Sequence, residues 1–305
     1  MREVSSYWEL AIESSVMTSE GLTNFLWELG ALGVVEEEIA EAPPRLRAFF
    51  PGAAEPAALC ARVNGYAAGL SALGLGAPVE AAIAPLIDGG WADAWREHFR
   101  PREVGRRLVI APSWDVPTSS GRLVVTIEPG RAFGTGHHGS TAGCLEALEE
   151  LLAHGVPDRV VDLGTGSGIL AIAAARLGVP AIVAVDDDPD AAACAVANAA
   201  RNGVADRVRV VVGDASAVGI EPAPLVVANI LSAAHLKLAT RYRQLVTPGG
   251  GLVLGGILDG ESTDLTAALG AVGFTREGAR SIEGWATLVF VRNGAAASAP
   301  LHDRV

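Results

Sequence analysis

The chain has 305 residues, half of them apolar, and a formal net charge of −12. That length is enough for one large or two ordinary domains with a well-buried core. The acidic balance argues against general nucleic-acid binding, which needs a basic face. Cys60, Cys144 and Cys194 lie far apart with no CxxC pair, which excludes a disulfide or zinc framework and points to a reducing compartment.

The first residues carry Arg2, Glu3, Glu9 and Glu13 and no uninterrupted apolar run, so no signal peptide is expected. The most apolar window, Gly168 to Val185, contains Arg176 and Pro180 and reads as helix, turn and strand, not as a membrane span. A cytoplasmic protein without a membrane partner is expected.

In chain order, residues 7–14 alternate as a strand does. Thr18-Ser19-Glu20 opens a helix whose apolar face is Leu22, Leu26 and Leu29. Val34 to Ile39 and Leu46 to Phe50 read as strands, Ala54 to Leu73 as an alanine-rich helix, and Val79 to Ile87 as a further strand. The order β-α-β-β-α-β matches a small ferredoxin-like α+β domain over residues 1–88. It holds no cluster of His, Cys or acidic pairs, which assigns it binding and not chemistry. After Asp88-Gly89-Gly90, Trp91, Trp95 and Phe99 fall on one helical face, which predicts a linker helix over 89–104.

Val109 to Pro112 and Leu123 to Ile127 read as strands. The loop from Glu128 to Thr141 follows, with Ser140 or Thr141 expected to cap a helix that buries Leu145, Leu148 and Leu152. Gly134, Gly136 and Gly139 satisfy the dinucleotide spacing G-x-G-x-x-G, but Gly134 comes seven residues after Ile127, whereas the fingerprint turns at once. A nicotinamide-dependent oxidoreductase is therefore a remote alternative. His137 and His138 are adjacent and have no third ligand at useful spacing, so no metal site is expected.

The stretch Arg159–Gly168 organises the rest. Val160 and Val161 end a buried strand, Gly164, Gly166 and Gly168 alternate, and Ile169 to Leu177 is a strong helix former. Strand, glycine turn and helix let backbone N–H groups approach a nucleotide-like ligand closely. The form G-x-G-x-G resembles the cofactor loop of class I S-adenosylmethionine-dependent methyltransferases. Strands at Val160–Leu163, Ile182–Val185, Val208–Val212, Leu225–Ala228 and Leu252–Leu254 alternate with helices, and strands near Phe274 and Leu288 close the set. This pattern predicts a doubly wound, mostly parallel seven-stranded Rossmann-like α/β sheet over residues 105–293, with a disordered tail at 294–305.

Asp186 ends the second of these strands, where an acid accepts hydrogen bonds from both ribose hydroxyls. Asp187 and Asp188 are alternatives, though Asp188-Pro189 is better suited to capping the next helix. Asp214 ends the third strand, within reach of an adenine amino group. Asn229 ends the fourth, where a methyl acceptor would meet the sulfonium methyl. An amide there orients an amine without adding charge, although it can also cap the helix near Ser232.

With these pieces assembled, the chain resembles the PrmA family, the methyltransferases of large-subunit ribosomal protein L11. Glu128-Pro-Gly-Arg-Ala-Phe-Gly-Thr-Gly-His-His-Gly-Ser-Thr141 is similar to that family's D-P-G-x-A-F-G-T-G-T-H-P-T-T signature. Val161 to Ala174, Val185 to Pro189, Asn198 to Gly203, Val227 to Leu231, and Trp91, Trp95 and Pro112-Ser-Trp114 match as well. The resemblance implies a substrate-recognition domain followed by a catalytic domain that methylates lysine ε-amines and the N-terminal α-amine of protein L11. By matched position it implies that Thr141, Gly164, Asp186 and Asn229 contact S-adenosylmethionine. Gly166 and Asp214 join them from the strand reading, and Asn229 is the expected catalytic residue. Glu128, His137, Gly139 and Ser140 depart from the family's usual Asp, Thr, Pro and Thr, which bears on acceptor choice. The alternative acceptor is another protein lysine or a small-molecule amine. A monomer is expected.

Overall fold

The computed structural model describes residues 7–15, 17–31, 33–37, 43–52, 54–75, 79–86, 100–118, 121–128 and 138–294. The chain divides into two compact units, one within residues 1–99 and the other within 100–128 and 132–305.

In the first unit, alternating apolar residues put Leu10, Ile12, Leu46, Ala48 and Phe50 on one buried sheet face. Strands β1 (Tyr7–Glu13), β2 (Gly33–Glu37), β3 (Arg45–Pro51) and β4 (Ala82–Leu86) form a sheet of order β2-β3-β1-β4, every pair antiparallel. Helices α1 (Ser19–Glu28) and α2 (Pro56–Ala72) contribute Leu22, Leu26, Leu59 and Val63 to the same core. Arg47 ties the outer face together, donating to Glu9 at 2.6 Å and to Glu37 at 2.7 Å.

The second unit opens with β5 (Arg102–Val104), β6 (Leu108–Ala111) and β7 (Leu123–Thr126), a three-stranded sheet of that order. A helix over 89–104 is thus corrected at its end: 102–104 is strand, and 89–99 lie outside the described residues. Pro101 disfavours helical backbone at Arg100 and lacks the N–H a continuing helix needs, and Val104 is buried against β6. The stripe of Trp91, Trp95 and Phe99 also lies outside the described residues, as do residues 295–305 of the expected tail.

Helix α3 (Gly139–His154) follows and buries Leu145, Leu148 and Leu152. Its Glu149 is buried and clamps the β5–β6 turn, accepting from Arg106 N–H at 3.0 and 3.1 Å and from Arg107 N–H at 3.1 Å. Charge-assisted bonds to backbone N–H contribute about 1.5–3 kcal/mol. Glu149→Ala should therefore lower the melting temperature by about 5 °C or more in a thermal scan. An unchanged melting temperature would remove the clamp from the fold's stability.

The main sheet has the order β10-β9-β8-β11-β12-β14-β13. Strands β8 (Val160–Leu163), β9 (Ile182–Asp186), β10 (Val208–Val212) and β11 (Ala223–Asn229) run parallel with β12 (Val246–Leu258), while β13 (Phe274–Ile282) and β14 (Trp285–Arg292) pair antiparallel. Parallel strands buried on both faces need continuous apolar runs, and Val160, Val161, Leu163, Val183, Ala184, Val185, Val226, Val227 and Ala228 supply them. Helices α4 (Ile169–Arg176), α5 (Pro189–Arg201), α6 (Ser232–Leu245) and α7 (Ser262–Ala271) cover the faces. The expected strand Leu252–Leu254 is the middle of a much longer β12, because β14 pairs along it from Gly251 to Leu258. Among the described residues no helix is long and apolar enough to cross a membrane.

Candidate cofactor and acceptor site

Strand order reverses between β8 and β11: the chain leaves β8 towards β9 and β10 on one side and returns to β11 and β12 on the other. Ligands of open α/β sheets bind at that switch point, outside the carboxyl ends of the strands. In register, Leu163 stands opposite Val185 and Ala228, so Gly164, Asp186 and Asn229 leave the sheet at one edge.

Gly164, Gly166 and Gly168 all have positive φ, at 68°, 54° and 83°. This backbone favours glycine strongly, and it turns the chain directly from β8 into α4. A Cβ at Gly164 would lie 2.4 Å from Ile230 Cγ2, so the turn is also pressed against the end of β11. Asp186 is half-buried and accepts from Gly166 N–H at 2.8 Å and from Asp188 N–H at 3.1 Å. Burial pushes its carboxyl up, opposed by those two N–H groups. Asp188 caps α5 by accepting from Asp190 N–H.

On the other side, Asn229 donates from Nδ2 to Thr141 Oγ1 at 3.2 Å, while its Oδ1 is buried without a partner among the described residues. It does not cap α6, whose first flanking residue is Leu231. Thr141 is fully buried inside α3. The expected capping by Ser140 or Thr141 is corrected. His138 has the extended backbone of a cap, and its Nδ1 accepts from Ser140 N–H, which leaves the Thr141 hydroxyl for Asn229. Burial lowers the His138 pKa, opposed by Glu283. Gly139 has no room for a side chain, since a Cβ would lie 2.4 Å from Ile282 O. His137, Gly134 and Gly136 lie outside the described residues.

Asp214 stands one strand further out, beyond β10. It is fully exposed and turned onto its own loop, accepting from Ser216 N–H at 2.8 Å and Ser216 Oγ at 2.7 Å. Those bonds hold its carboxyl below the usual range.

Sequence reasoning missed Asp162. It is fully buried in β8, and its Oδ2 accepts from Thr165 Oγ1 at 2.6 Å and Ala171 N–H at 3.2 Å. Its Oδ1 has no partner among the described residues, and burial raises its pKa to about 7. The signal was available, because a carboxylate inside the apolar run Val-Val-Asp-Leu is costly to bury and must be held there by partners. Asn198 was seen only as part of a matched segment. It donates to Ser167 O at 2.9 Å and accepts from Glu128 N–H at 3.2 Å, so it joins the glycine turn to the end of β7.

An orphaned carboxylate oxygen at Asp162, a second carboxylate at Asp186 and a turn of positive-φ glycines suit a nucleoside that carries positive charge. They oppose a pyrophosphate, which would face two acids. Among the described residues no group of three or more His, Cys, Asp or Glu side chains could hold a metal ion.

Residues 6–293 match the family described as ribosomal protein L11 methyltransferase (PrmA). The chain belongs to that family. It is 40% identical over 224 residues to the ribosomal protein L11 methyltransferase of Symbiobacterium thermophilum, covering 73% of this chain and 72% of that one. It is 40% identical over 253 residues to the corresponding protein of Geobacter sulfurreducens, covering 82% of each. The crystal structure of ribosomal protein L11 methylase from Lactobacillus delbrueckii subsp. bulgaricus superposes with a TM-score of 0.59 at 28% identity, covering 64% of this chain and all of that one.

Proposed function

We propose that this protein transfers methyl groups from S-adenosylmethionine to lysine ε-amines and the N-terminal α-amine of large-subunit ribosomal protein L11, in the cytoplasm where that protein is made. The observation that carries the reading is the pairing of a cationic-nucleoside cradle at Gly164, Asp162 and Asp186 with a neutral amide at Asn229 on the same strand edge. When bound, the cofactor supplies an electrophilic methyl on a positively charged sulfur.

This chain's residues then have three tasks. Gly164 and Gly166 admit the nucleoside at the turn, and Asp186 takes the ribose hydroxyls. Asp162 Oδ1 accepts from a cationic donor. Asn229 Oδ1, held by the Nδ2 bond to Thr141, accepts a hydrogen from the substrate amine and aims its lone pair. A lysine amine with a pKa near 10.4 is neutral in roughly one molecule in a few thousand at pH 7. An amide at the acceptor position, unlike a carboxylate, does not hold it in the charged form, and a desolvated pocket favours the neutral one. Positioning and desolvation supply the rate. Asp214, fully exposed and bonded to Ser216, has a weaker claim to the adenine.

The first unit, with its ferredoxin-like β-α-β-β-α-β order and antiparallel sheet, serves as the substrate-recognition domain. Residues 1–99 and 100–293 are the working division for variants, with β5 kept in the second unit. The net charge of −12 suits a protein acceptor over nucleic acid. Incubating the enzyme with radiolabelled cofactor and a lysate from methylation-deficient cells tests the reading. Label is expected in protein L11, and label confined to RNA or metabolites would overturn the choice of acceptor.

A further inference from the structure

His235 and Tyr242 sit two turns apart on α6, both fully buried. His235 Nε2 lies 2.8 Å from Gly255 O, and its Nδ1 lies 2.7 Å from the Tyr242 hydroxyl. A carbonyl only accepts, so Nε2 carries the hydrogen. Nδ1 of the neutral ring is then the acceptor and the tyrosine O–H the donor. This pair has no part in the reaction as described, yet its ring is spent on backbone groups at the Asn229 edge, the Gly255 carbonyl at 2.8 Å and the backbone of Ile230.

That carbonyl belongs to a glycine pair in β12. Gly255 stands opposite Asn229 in the β11–β12 register. A Cβ on Gly255 would lie 2.9 Å from Asn229 Oδ1, 2.3 Å from Cys144 Sγ and 3.3 Å from Ser140 O. Gly256 has φ +75°, and a Cβ there would lie 2.4 Å from Ile230 O. Between Leu254 and Ile257 the register of β12 against β14 shifts. The glycines therefore form an irregularity pressed against Asn229 and Ile230. Such bulges re-aim side chains beside active sites and leave part of the ladder unpaired, and glycine there marks a close approach of another backbone.

We propose that His235, oriented by Tyr242, is a positioning residue for methyl transfer: its Nε2–H pins the Gly255 carbonyl and thereby fixes the glycine bulge against which the Asn229 amide is set. The inference rests on the reading of Asn229 as the residue that aims the acceptor amine. It separates two effects. Cofactor affinity depends on the glycine turn and the acids of β8 and β9, which His235 does not touch. Turnover depends on the Asn229 amide, which the bulge orients.

The test compares His235→Leu, His235→Gln, Tyr242→Phe, Asn229→Ala and Leu269→Ala, with kcat and KM on protein L11, cofactor Kd by calorimetry, and melting temperature measured for each. Leu269 is a fully buried residue of α7 in the same core and takes no part in the His235–Gly255 bond, so it controls for lost packing. His235→Leu should lower kcat about 10- to 100-fold, the scale of a misplacement near 1 Å, with cofactor Kd changed by less than about threefold. Glutamine places an amide N–H near the Nε2 position and should recover kcat to within about fivefold of the parent. Leu269→Ala should lose a comparable melting temperature with kcat within about twofold. Should His235→Leu fail to fold, Tyr242→Phe, which keeps the ring in place, should still lower kcat about 3- to 10-fold. Parental kcat in a folded His235→Leu or Tyr242→Phe, no recovery with glutamine, or an equal kcat loss in Leu269→Ala would each overturn the proposal. If Asn229→Ala loses turnover while His235→Leu keeps it, only this inference fails. If Asn229→Ala keeps full turnover, the reading beneath it fails too.

Discussion

Asn229→Ala should lower kcat by about 10²- to 10³-fold, the scale seen when one preorganised polar contact to the reacting group is removed. The melting temperature should move by no more than about 3 °C, because the substitution breaks a single neutral hydrogen bond worth about 1 kcal/mol. That bond, from Nδ2 to Thr141 Oγ1 at 3.2 Å, is what fixes the amide plane and leaves Oδ1 buried without a partner among the described residues. A buried acceptor without a donor costs stability in the resting protein, so its presence at a strand end is best explained by a donor that arrives with the substrate. Asn229→Asp separates shape from charge. It keeps an oxygen in the Oδ1 position but introduces a carboxylate that favours the protonated lysine, so kcat should fall as well, with the loss easing as pH rises. Steady-state kinetics on protein L11 with calorimetric melting of each variant makes the comparison. Parental turnover in a folded Asn229→Ala variant would remove this residue from the reaction.

What was legible in the sequence was whatever local chemistry dictates. Three alternating glycines required a backbone only glycine adopts readily, and Gly164, Gly166 and Gly168 all take positive φ. The mainly apolar runs of these strands required parallel strands covered on both faces, and Asp186 and Asn229 reach the same edge because parallel strands align their carboxyl ends. What was not legible depended on partners distant in sequence. The cap of α3 moved to His138 because Thr141 was claimed by Asn229, 88 residues away. The extent of β12 was hidden by its irregular start, where the register against β11 shifts between Val246 and Gly251 and Gly249 takes φ 75°, before β14 pairs from Gly251 onward. The bond from His235 to Gly255 crosses from helix to strand, and no periodicity in either segment announces it. Asp162 was legible in principle, since a charged residue in a doubly covered strand contradicts the pattern around it, and such contradictions mark sites of function.

Replacing that residue should separate stability from binding. Burial raises the Asp162 pKa in the folded, cofactor-free protein from 3.8 to about 7. For a group whose folded pKa is raised, the stabilising contribution is complete below the unfolded pKa and is lost as pH rises through the folded one. Asp162 alone should therefore remove stability, on the order of a few kcal/mol, as pH rises from 3.8 through 7, against the usual trend for a carboxylate. His235 acts in the opposite sense. Burial lowers its pKa from 6.5 to about 4, so the stability linked to its neutral form is present above pH 6.5 and lost as pH falls towards 4. The two slopes overlap, and only the difference between parent and variant isolates Asp162. Asp162→Asn keeps an acceptor for Thr165 and Ala171 but cannot ionise. At pH 8 the cofactor-free variant should melt about 5 °C or more above the parent. The same variant should bind S-adenosylmethionine about 100-fold more weakly, the cost of losing a charge-assisted bond of about 2–3 kcal/mol. In the parent, a cation beside Oδ1 favours the ionised carboxylate, so binding must expel a proton below pH 7. With the folded pKa at about 7, affinity should fall by about an order of magnitude from pH 8 to pH 5.5. In Asp162→Asn that dependence should flatten. Calorimetric titration in buffers of differing ionisation enthalpy counts the expelled proton directly. A pH-independent parent, or a variant that binds as tightly as the parent, would take Asp162 out of the cofactor site and leave its burial without a function.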